Sequence, residues 1–314
     1  MSRGAGPTTR YDRRSVLATV GSAAVGLVGG CLGSDDDRVR VLAAGSLAVV
    51  LEEHVGPAFQ AEAGIRYAGE YHGSNALMRM IEERTKHPDV VISADVDLLR
   101  ERLYPDHADW DVEFATNAVG IAYDPSADVG GRLADGEPWY EVLADAGPGE
   151  VAISDPDLDP LGYRAVLLFE LAEREHGLEG FRETMVDRAY REPNESALLA
   201  GIEAGDRACA VCYRNMASDH GVPFLGLPDA YNFANPAYAD RYERVTYTTA
   251  DGYTVSGSPV VYNATVRTGA DEADAGRSFV TFLLDRPELL AEHGLRVPDA
   301  LPRWNGDPPE GLDG

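Results

Sequence analysis

The sequence predicts an α/β fold arranged as two lobes. Apolar strands, small-residue turns and helical segments alternate along the first part of the chain, a pattern typical of sheets with helices on both faces. About 275 residues follow the N-terminal signal described below, which is enough to bury a large core in two lobes. Two similar apolar strands, at residues 117–123 and 254–262, are far apart in sequence and are placed to form the two crossings of a hinge.

The N-terminus has the features of an export signal. Arg13 and Arg14 begin a twin-arginine pattern, and the apolar run that follows them is too short to span a bilayer permanently. Residues 28–31 read Val-Gly-Gly-Cys, which predicts lipidation of Cys31. We therefore expect a twin-arginine lipoprotein signal over residues 1–30 and a polar tether over 31–38. The protein would be extracytoplasmic and lipid-anchored to the outer face of the cell membrane.

The chain is strongly acidic. It has 53 Asp and Glu residues against 27 Lys and Arg residues, a formal net charge of −26, and Lys86 is its one lysine. Such a charge opposes compaction in dilute salt, but molar salt shortens the Debye length to about 3 Å and removes that penalty. The composition indicates a halophilic protein whose acidic residues solvate the surface. It argues against nucleic acid as a partner.

The first lobe is predicted from three strands with helices between them. The strands are expected at residues 39–44, 65–71 and 89–94, and the helices at 47–62 and 76–83. This order predicts a mostly parallel sheet, in which ligands bind where the strands end, beside helix N-termini. The first two strands end at Gly45-Ser46 and at Gly73-Ser74. Each pair suits the binding of a ligand, although each is equally suited to be a plain helix cap.

In the second lobe a carboxylate is predicted at the start of a helix. Asp159 is a suitable N-cap, Pro160 suits the first helical position, and leucines recur at helical spacing over residues 161–171. Free N–H groups and the helix dipole attract anions to this end of a helix. Asp159 is therefore either a plain cap or part of a binding site.

The two cysteines of the folded part lie in a predicted strand at residues 208–213. Cys209 and Cys212 are three residues apart, so in a strand they face opposite sides, which opposes a disulfide between them. We expect two buried thiols with no metal or redox role.

The hinge strands also predict the lobe boundaries. Residues 39–118 together with 260–300 are expected to form lobe 1, and residues 119–259 lobe 2. Residues 301–314 are rich in Pro and Gly, and we expect them to be a flexible tail.

Over residues 41–297 the sequence resembles the archaeal tungstate/molybdate-binding lipoproteins, the substrate-binding components of ABC-type oxyanion importers. The resemblance implies a periplasmic-binding-protein fold of type II and a monomer with no cofactor, which delivers its oxyanion to a permease and its ATPase. Its markers occur in the same order in this chain: Ala44-Gly45-Ser46-Leu47, Gly73-Ser74, Ser93-Ala94-Asp95, Phe114-Ala-Thr-Asn117, Ser154-Asp-Pro, Asp159-Pro-Leu-Gly-Tyr-Arg164, Cys212-Tyr-Arg-Asn-Met-Ala-Ser-Asp-His-Gly221, Leu227-Pro, Tyr238-Ala-Asp and Gly257-Ser-Pro-Val-Val-Tyr262.

The resemblance assigns the groups that would bind the anion's oxygens. Gly45 and Ser46 match the first anion-binding turn, and Ser74 matches the second. Tyr213 matches a tyrosine that hydrogen-bonds the anion, and the backbone N–H of Leu161 would donate another hydrogen bond.

Two carboxylates are assigned to the metal of the oxyanion. The segment that begins with Asp159, Pro160 and Leu161 matches a helix start that supplies the first one, and Glu195 matches the second. The segment that precedes Glu195 is shorter here than is common in the family, so Glu203 is a competing choice for the second carboxylate.

Carboxylates suit such a ligand if they bind its metal rather than face its oxygens. Mo(VI) and W(VI) are hard centres that accept oxygen ligands, so tetrahedral molybdate or tungstate can add two carboxylate oxygens. Sulfate cannot, and would meet Asp159 and Glu195 as repelling charges. A protein for sulfate or another tetrahedral oxyanion is the alternative, and it would not need these carboxylates. Tungstate and molybdate are too alike in size and charge for the sequence to rank them.

The sequence does not favour an enzyme. It contains no Gly-x-Ser-x-Gly, no His pair at metal-ligand spacing and no phosphate loop, and its seven His residues are scattered. Three Trp residues are few for a sugar-binding cleft, which argues against a glycosidase.

Overall fold

The structure is a computed structural model that describes residues 38–309 and Leu312. The predicted signal at 1–30, Cys31 and all of the predicted tether except Arg38 lie outside the described residues. Within the described part, none of the helices combines the length and the apolar character needed to cross a bilayer.

The strands follow one another along the whole described chain. They are β1 (Arg38–Ala44), β2 (Arg66–His72), β3 (Val90–Ser93), β4 (Trp110–Thr116), β5 (Val119–Tyr123), β6 (Val151–Ser154), β7 (Tyr190–Glu192), β8 (Cys209–Tyr213), β9 (Phe224–Gly226), β10 (Thr246–Thr248), β11 (Thr254–Ser256), β12 (Val261–Val266) and β13 (Arg303–Gly306).

The α-helices lie between the strands. They are α1 (Gly56–Ala63), α2 (Ser74–Glu82), α3 (Val96–Leu103), α4 (Asp128–Ala134), α5 (Trp139–Asp145), α6 (Pro160–His176), α7 (Phe181–Arg188), α8 (Ala200–Glu203), α9 (Arg214–His220), α10 (Ala239–Tyr242), α11 (Ala273–Asp285) and α12 (Pro287–Ala291). Short 3-10 turns occur at Gly45–Leu47, Glu195–Ala197 and Pro236–Tyr238, and a π-helical segment at Val50–Val55 leads into α1. The predicted helix at 47–62 is therefore helical, with a π-helical segment inside it.

Two main sheets organise the described chain into two lobes. Lobe 1 contains a six-stranded sheet of order β13-β4-β12-β3-β1-β2, and lobe 2 contains a five-stranded sheet of order β7-β6-β8-β5-β9. The strands β10 and β11 pair separately as a hairpin. This architecture confirms the predicted α/β class with two lobes.

The three strands from which a mostly parallel sheet was predicted are parallel, but the complete sheets are both mixed, so the prediction does not hold for either sheet as a whole. In lobe 1, β1 is parallel to β2 and β3, whereas β12 is antiparallel to β3 and β4. In lobe 2, β6 is parallel to β7 and β8, whereas β5 is antiparallel to β8 and β9. The crossings explain the mixture. The chain leaves lobe 1 at the end of β4 and returns at the start of β12, so these two strands run in opposite directions.

The crossings themselves are short. They lie at residues 117–118, between β4 and β5, and at residues 257–260, between β11 and β12. The strand predicted at 254–262 is therefore two strands, β11 and the start of β12, which belong to different sheets. The segment between them contains Pro259, which has no N–H to donate to a sheet. The two crossings are in contact, since the N–H of Asn117 donates to the carbonyl of Val260 at 3.2 Å.

The segment expected to be a flexible tail instead contributes an edge strand. Residues Arg303–Gly306 pair antiparallel with β4, and the ring of Trp304 packs against that of Trp110 with centroids 5.7 Å apart. A four-residue strand between prolines and glycines has too little periodicity to be recognised in sequence.

The predicted burial of the two cysteines, without a disulfide between them, is confirmed within the described region. Cys209 and Cys212 are free, and both are buried in β8. Burial raises the pKa of both thiols to about 12.

Candidate functional site

The predicted site residues meet between the two lobes, where each lies at or after the end of a strand. From lobe 1, Gly45 and Ser46 follow β1 and Ser74 follows β2. The residues from lobe 2 follow β6 and β7 or end β8, and all eight predicted residues are buried. The lobe 2 set consists of Asp159, Pro160, Leu161, Glu195 and Tyr213.

Asp159 caps α6 as its sequence predicts, but the cap uses only one carboxylate oxygen. Its Oδ1 accepts the N–H of Gly162 at 2.8 Å and the hydroxyl of Ser154 at 3.0 Å. Pro160 occupies the first helical position, where its missing N–H costs no hydrogen bond. The other oxygen, Oδ2, is buried without a hydrogen-bond partner among the described residues.

Glu195 lies opposite Ser46 at the same interface. The side chain of Asn194 accepts the N–H of Ala197 at 3.0 Å and so caps the 3-10 turn in which Glu195 is the first residue. The Oε2 of Glu195 accepts the backbone N–H of Ser46 from the other lobe. Its Oε1 is buried and, among the described residues, has no partner.

The structure separates the two candidates for the second carboxylate. Glu195 is 1% exposed. Burial raises its pKa, and the nearby charge of Asp159 raises it further. The side chain of Glu203 is 45% exposed and pairs with His220 at 2.8 Å. Of these two, Glu195 is therefore the buried carboxylate near Asp159, and Glu203 lies at the surface.

The two carboxylates repel each other in a dry environment. Burial raises the pKa of Asp159 to about 7, against hydrogen bonds that lower it. Burial also raises the pKa of Glu195 well above its ordinary value, and the negative charge of Asp159 raises it further. A bound group that accepted an oxygen from each carboxylate would remove this repulsion.

Hydroxyl groups around the carboxylates retain protons that they can donate. The Oγ of Ser74 accepts the N–H of Ala94 at 3.1 Å, and the hydroxyl of Tyr213 accepts from Nη1 of Arg164 at 2.9 Å. Each hydroxyl has one proton, which these contacts leave free. The N–H of Leu161 lies close enough to the Asp159 carboxylate to lower its pKa, against the larger effect of burial.

Sequence reasoning missed a buried ion pair beside the site. The Nη2 of Arg164 lies 2.8 Å from Oδ2 of Asp95, and both side chains are buried. Burial alone would lower the pKa of Arg164, but Tyr213 and Asp95 raise it above its ordinary value. Both residues stood in motifs that carried the resemblance. An arginine on the apolar side of a buried helix was the signal that could have shown them.

A second missed group joins the turn at Gly45-Ser46 to a crossing. The hydroxyls of Ser46 and Tyr262 are 3.0 Å apart, and the side-chain amide of Asn117 donates to Tyr262 at 3.1 Å and to Asn215 at 2.7 Å. Asn215 in turn donates to the carbonyl of Ser46 at 2.6 Å. Asn117 follows β4 at a crossing. A polar residue within an otherwise apolar strand pattern was the sequence signal that could have identified it.

The donor set does not suit a free metal cation. No group of three or more His, Cys, Asp or Glu side chains in the described chain is arranged to hold one. Two carboxylates surrounded by N–H and O–H donors instead suit an anion whose central atom accepts oxygen ligands.

The chain is similar to known solute-binding proteins over most of its length. Residues 39–296 match the family model described as bacterial extracellular solute-binding protein. An uncharacterized solute-binding protein of Halobacterium salinarum is 47% identical over 306 residues, 98% of this chain and 99% of the relative. A putative ABC transporter molybdenum-binding protein of Haloferax volcanii is 36% identical, covering 96% of each chain. The molybdate/tungstate-binding protein WtpA of Pyrococcus abyssi is 30% identical, covering 83% of this chain and 86% of its own.

Solved structures share the fold at low sequence identity. The periplasmic molybdate-binding protein of Azotobacter vinelandii has a TM-score of 0.61 at 15% identity, over 83% of this chain and 100% of that chain. The sulfate-binding protein SubI of Mycobacterium tuberculosis has a TM-score of 0.60 at 15% identity, over 83% and 87%. The family match agrees with the prediction of a binding protein and not an enzyme. The chain belongs to the bacterial extracellular solute-binding protein family.

Proposed function

We propose that this protein captures tungstate or molybdate outside the cytoplasm and delivers it to an ABC transporter permease and its ATPase. The relatives from Haloferax volcanii and Pyrococcus abyssi, named for molybdenum binding and for molybdate/tungstate binding, support this ligand class. The metal of the oxyanion is bound by Asp159 and Glu195, and the anion's oxygens are bound by Gly45, Ser46, Ser74, Leu161 and Tyr213.

One observation carries the proposal. Asp159 Oδ2 and Glu195 Oε1 are both buried without a partner among the described residues, and they come from different strand ends of lobe 2. A buried carboxylate oxygen without a partner costs free energy, so two of them in one site point to a ligand that accepts both. A hexavalent metal inside an oxyanion is such a ligand, because it can extend its oxygen coordination.

Ligand entry would exchange hydrogen bonds at the site. The N–H of Ser46 now donates to Glu195, and the N–H of Leu161 lies beside the Asp159 carboxylate. When the carboxylates turn to the metal, these N–H groups become available to the oxyanion's own oxygens. Ser74 and Tyr213 add hydroxyl protons, so that several charge-assisted hydrogen bonds hold the anion.

The cellular arrangement completes the proposal. A twin-arginine signal over residues 1–30 exports the chain, and lipidation of Cys31 anchors it to the membrane surface. The polar tether at 31–38 connects this anchor to the folded part, which acts as a halophilic monomer. Lobe 1 consists of residues 39–118 and 260–300 together with the edge strand at 303–306, and lobe 2 consists of residues 119–259. Closure of the two lobes over the ligand gives a shape that the open form lacks. The permease distinguishes the two shapes.

Calorimetric titration in molar salt with tungstate, molybdate and sulfate tests the proposal. We expect tight binding of the first two anions and little binding of sulfate, because sulfur does not take up two more oxygen ligands. Sulfate binding as tight as that of tungstate would instead favour a general tetrahedral-anion binding protein.

A further inference from the structure

Arg164 connects the two lobes at the edge of the site. It lies in α6 of lobe 2, and its Nη1 donates to the carbonyl of Ala94, in lobe 1, at 3.1 Å. Its Nη2 donates to Oδ2 of Asp95 at 2.8 Å, and the hydroxyl of Tyr163 donates to the same oxygen at 2.7 Å. All of these side chains are buried, so closed lobes enclose a complete ion pair.

Asp95 is held on lobe 1 by contacts that do not depend on lobe 2. Its Oδ1 accepts the N–H of Leu98 at 3.1 Å and caps α3, and its own N–H donates to the hydroxyl of Ser93 at 3.0 Å. Only Oδ2 is directed across the cleft. Opening of the lobes would separate Asp95 from Arg164 and expose both charges to water, so this ion pair belongs to the closed state.

Arg164 also determines which way the proton of Tyr213 points. A guanidinium can only donate hydrogen bonds, and its Nη1 donates to the hydroxyl of Tyr213 at 2.9 Å. The single proton of that hydroxyl must then point to another acceptor. Glu195 and Asp159 are buried at the same interface as Tyr213, and their negative charges act on its hydroxyl.

We propose that Arg164, held across the cleft by Asp95, is a positioning residue that fixes the Tyr213 hydroxyl as a donor to the bound oxyanion when the lobes close. The ion pair thereby couples closure to capture. This inference rests on the function proposed above, because it assigns Arg164 to the same anion site.

The chain contains a matched control for this arrangement within lobe 1. The hydroxyl of Tyr104 donates to Oδ1 of Asp111 at 2.6 Å, and Nε of Arg100 lies 2.9 Å from the same oxygen. This Tyr-Asp-Arg group resembles the cross-lobe one in its bonding, but all of its members lie on or beside α3 and β4. Tyr104→Phe therefore removes a similar hydrogen bond without affecting closure.

The first experiment measures the affinity and dissociation rate of tungstate for the wild type and for three variants in molar salt. We expect Asp95→Asn to raise the Kd by about tenfold or more and Tyr163→Phe by about threefold, chiefly through faster dissociation, because a hydrogen bond to a charged group is lost. Tyr104→Phe should leave the Kd unchanged. Equal effects of Tyr163→Phe and Tyr104→Phe would overturn the inference.

A double-mutant cycle distinguishes positioning from a merely structural role. If Arg164 acts through Tyr213, Asp95→Asn should weaken tungstate binding much less in a Tyr213→Phe background than in the wild type. Additive effects would contradict the inference. A wild-type chain that binds neither tungstate nor molybdate would instead refute the proposed function, and this inference with it.

Discussion

Asp159 shows how the two oxygens of one buried carboxylate can have different tasks. Oδ1 accepts hydrogen bonds from Gly162 and Ser154, whereas Oδ2 has no partner among the described residues. The capping role could be predicted from sequence because an N-cap depends on local residues. The free oxygen could not, since it depends on burial by residues from other strands.

Asp159→Asn separates the two tasks. Asparagine can still cap α6, and the substitution removes a buried charge, so the free energy of unfolding of the ligand-free protein should stay equal or rise by about 1 kcal/mol. Tungstate affinity should fall by about a hundredfold or more. Chemical denaturation and calorimetry measure the two effects, and unchanged affinity would show that Asp159 is only a cap.

The raised pKa of Asp159 predicts how stability depends on pH. In the folded ligand-free protein its pKa is raised to about 7, above the unfolded value of about 3.9. The folded state therefore holds the proton more tightly, and this contribution is complete below about pH 4 and lost as the pH rises through 7. Denaturation of the ligand-free protein in molar salt should show stability that falls over this range. The slope should be smaller in Asp159→Asn, and an identical slope would contradict the assignment.

Among the elements, α6 was predicted well and the sheets only in part. The N-cap, the proline at the first position and the leucine spacing of α6 are local signals, and the helix runs from Pro160 to His176. Strand direction follows from where the chain crosses between lobes, which no local pattern contains. The strand at residues 303–306 depends on pairing with β4, and so it also escaped prediction.

Two helical glycines provide a test at this scale. A Cβ on Gly162 in α6 would lie 2.6 Å from the carbonyl carbon and oxygen of Asp155, a backbone contact that cannot give way easily. A Cβ on Gly131 in α4 would meet only the carbonyl oxygen of Pro125, at an ordinary 3.7 Å. We expect Gly162→Ala to destabilise the fold by about 1–3 kcal/mol and Gly131→Ala to stabilise it by about 0.5–1 kcal/mol. Denaturation midpoints in molar salt measure both, and a stabilised Gly162→Ala variant would contradict the close contact between Gly162 and Asp155.

At the scale of the whole molecule, the absence of a side chain at Gly73 allows the two lobes to approach each other closely. Its backbone conformation, φ −60° and ψ 138°, is open to any residue. A Cβ there would lie 2.3 Å from Cβ of Asp159 and 2.4 Å from the carbonyl oxygen of Leu158, both in lobe 2. At the same place the N–H of Ala76 donates across the cleft to Leu158 at 3.1 Å.

Gly73→Ala should therefore prevent closure while each lobe still folds. We expect the tungstate-induced decrease in the radius of gyration, measured by small-angle X-ray scattering, to be lost and the affinity to fall. The denaturation midpoint should change little. Gly131→Ala is the control for an added methyl group away from the cleft, and a Gly73→Ala variant that closes like the wild type would contradict this role.

The contact between the two crossings also determines the conformational entropy of capture. Residues 117–118 and 257–260 leave lobe 1 from neighbouring strands, and Asn117 donates to Val260 across them. Because the crossings are short, we expect few backbone dihedrals to change on closure, and ordering a residue costs about 1–2 kcal/mol. Little of the free energy of oxyanion binding would then be lost to ordering the crossings, so most of it would contribute to affinity. Release would require only that the same few dihedrals rotate back.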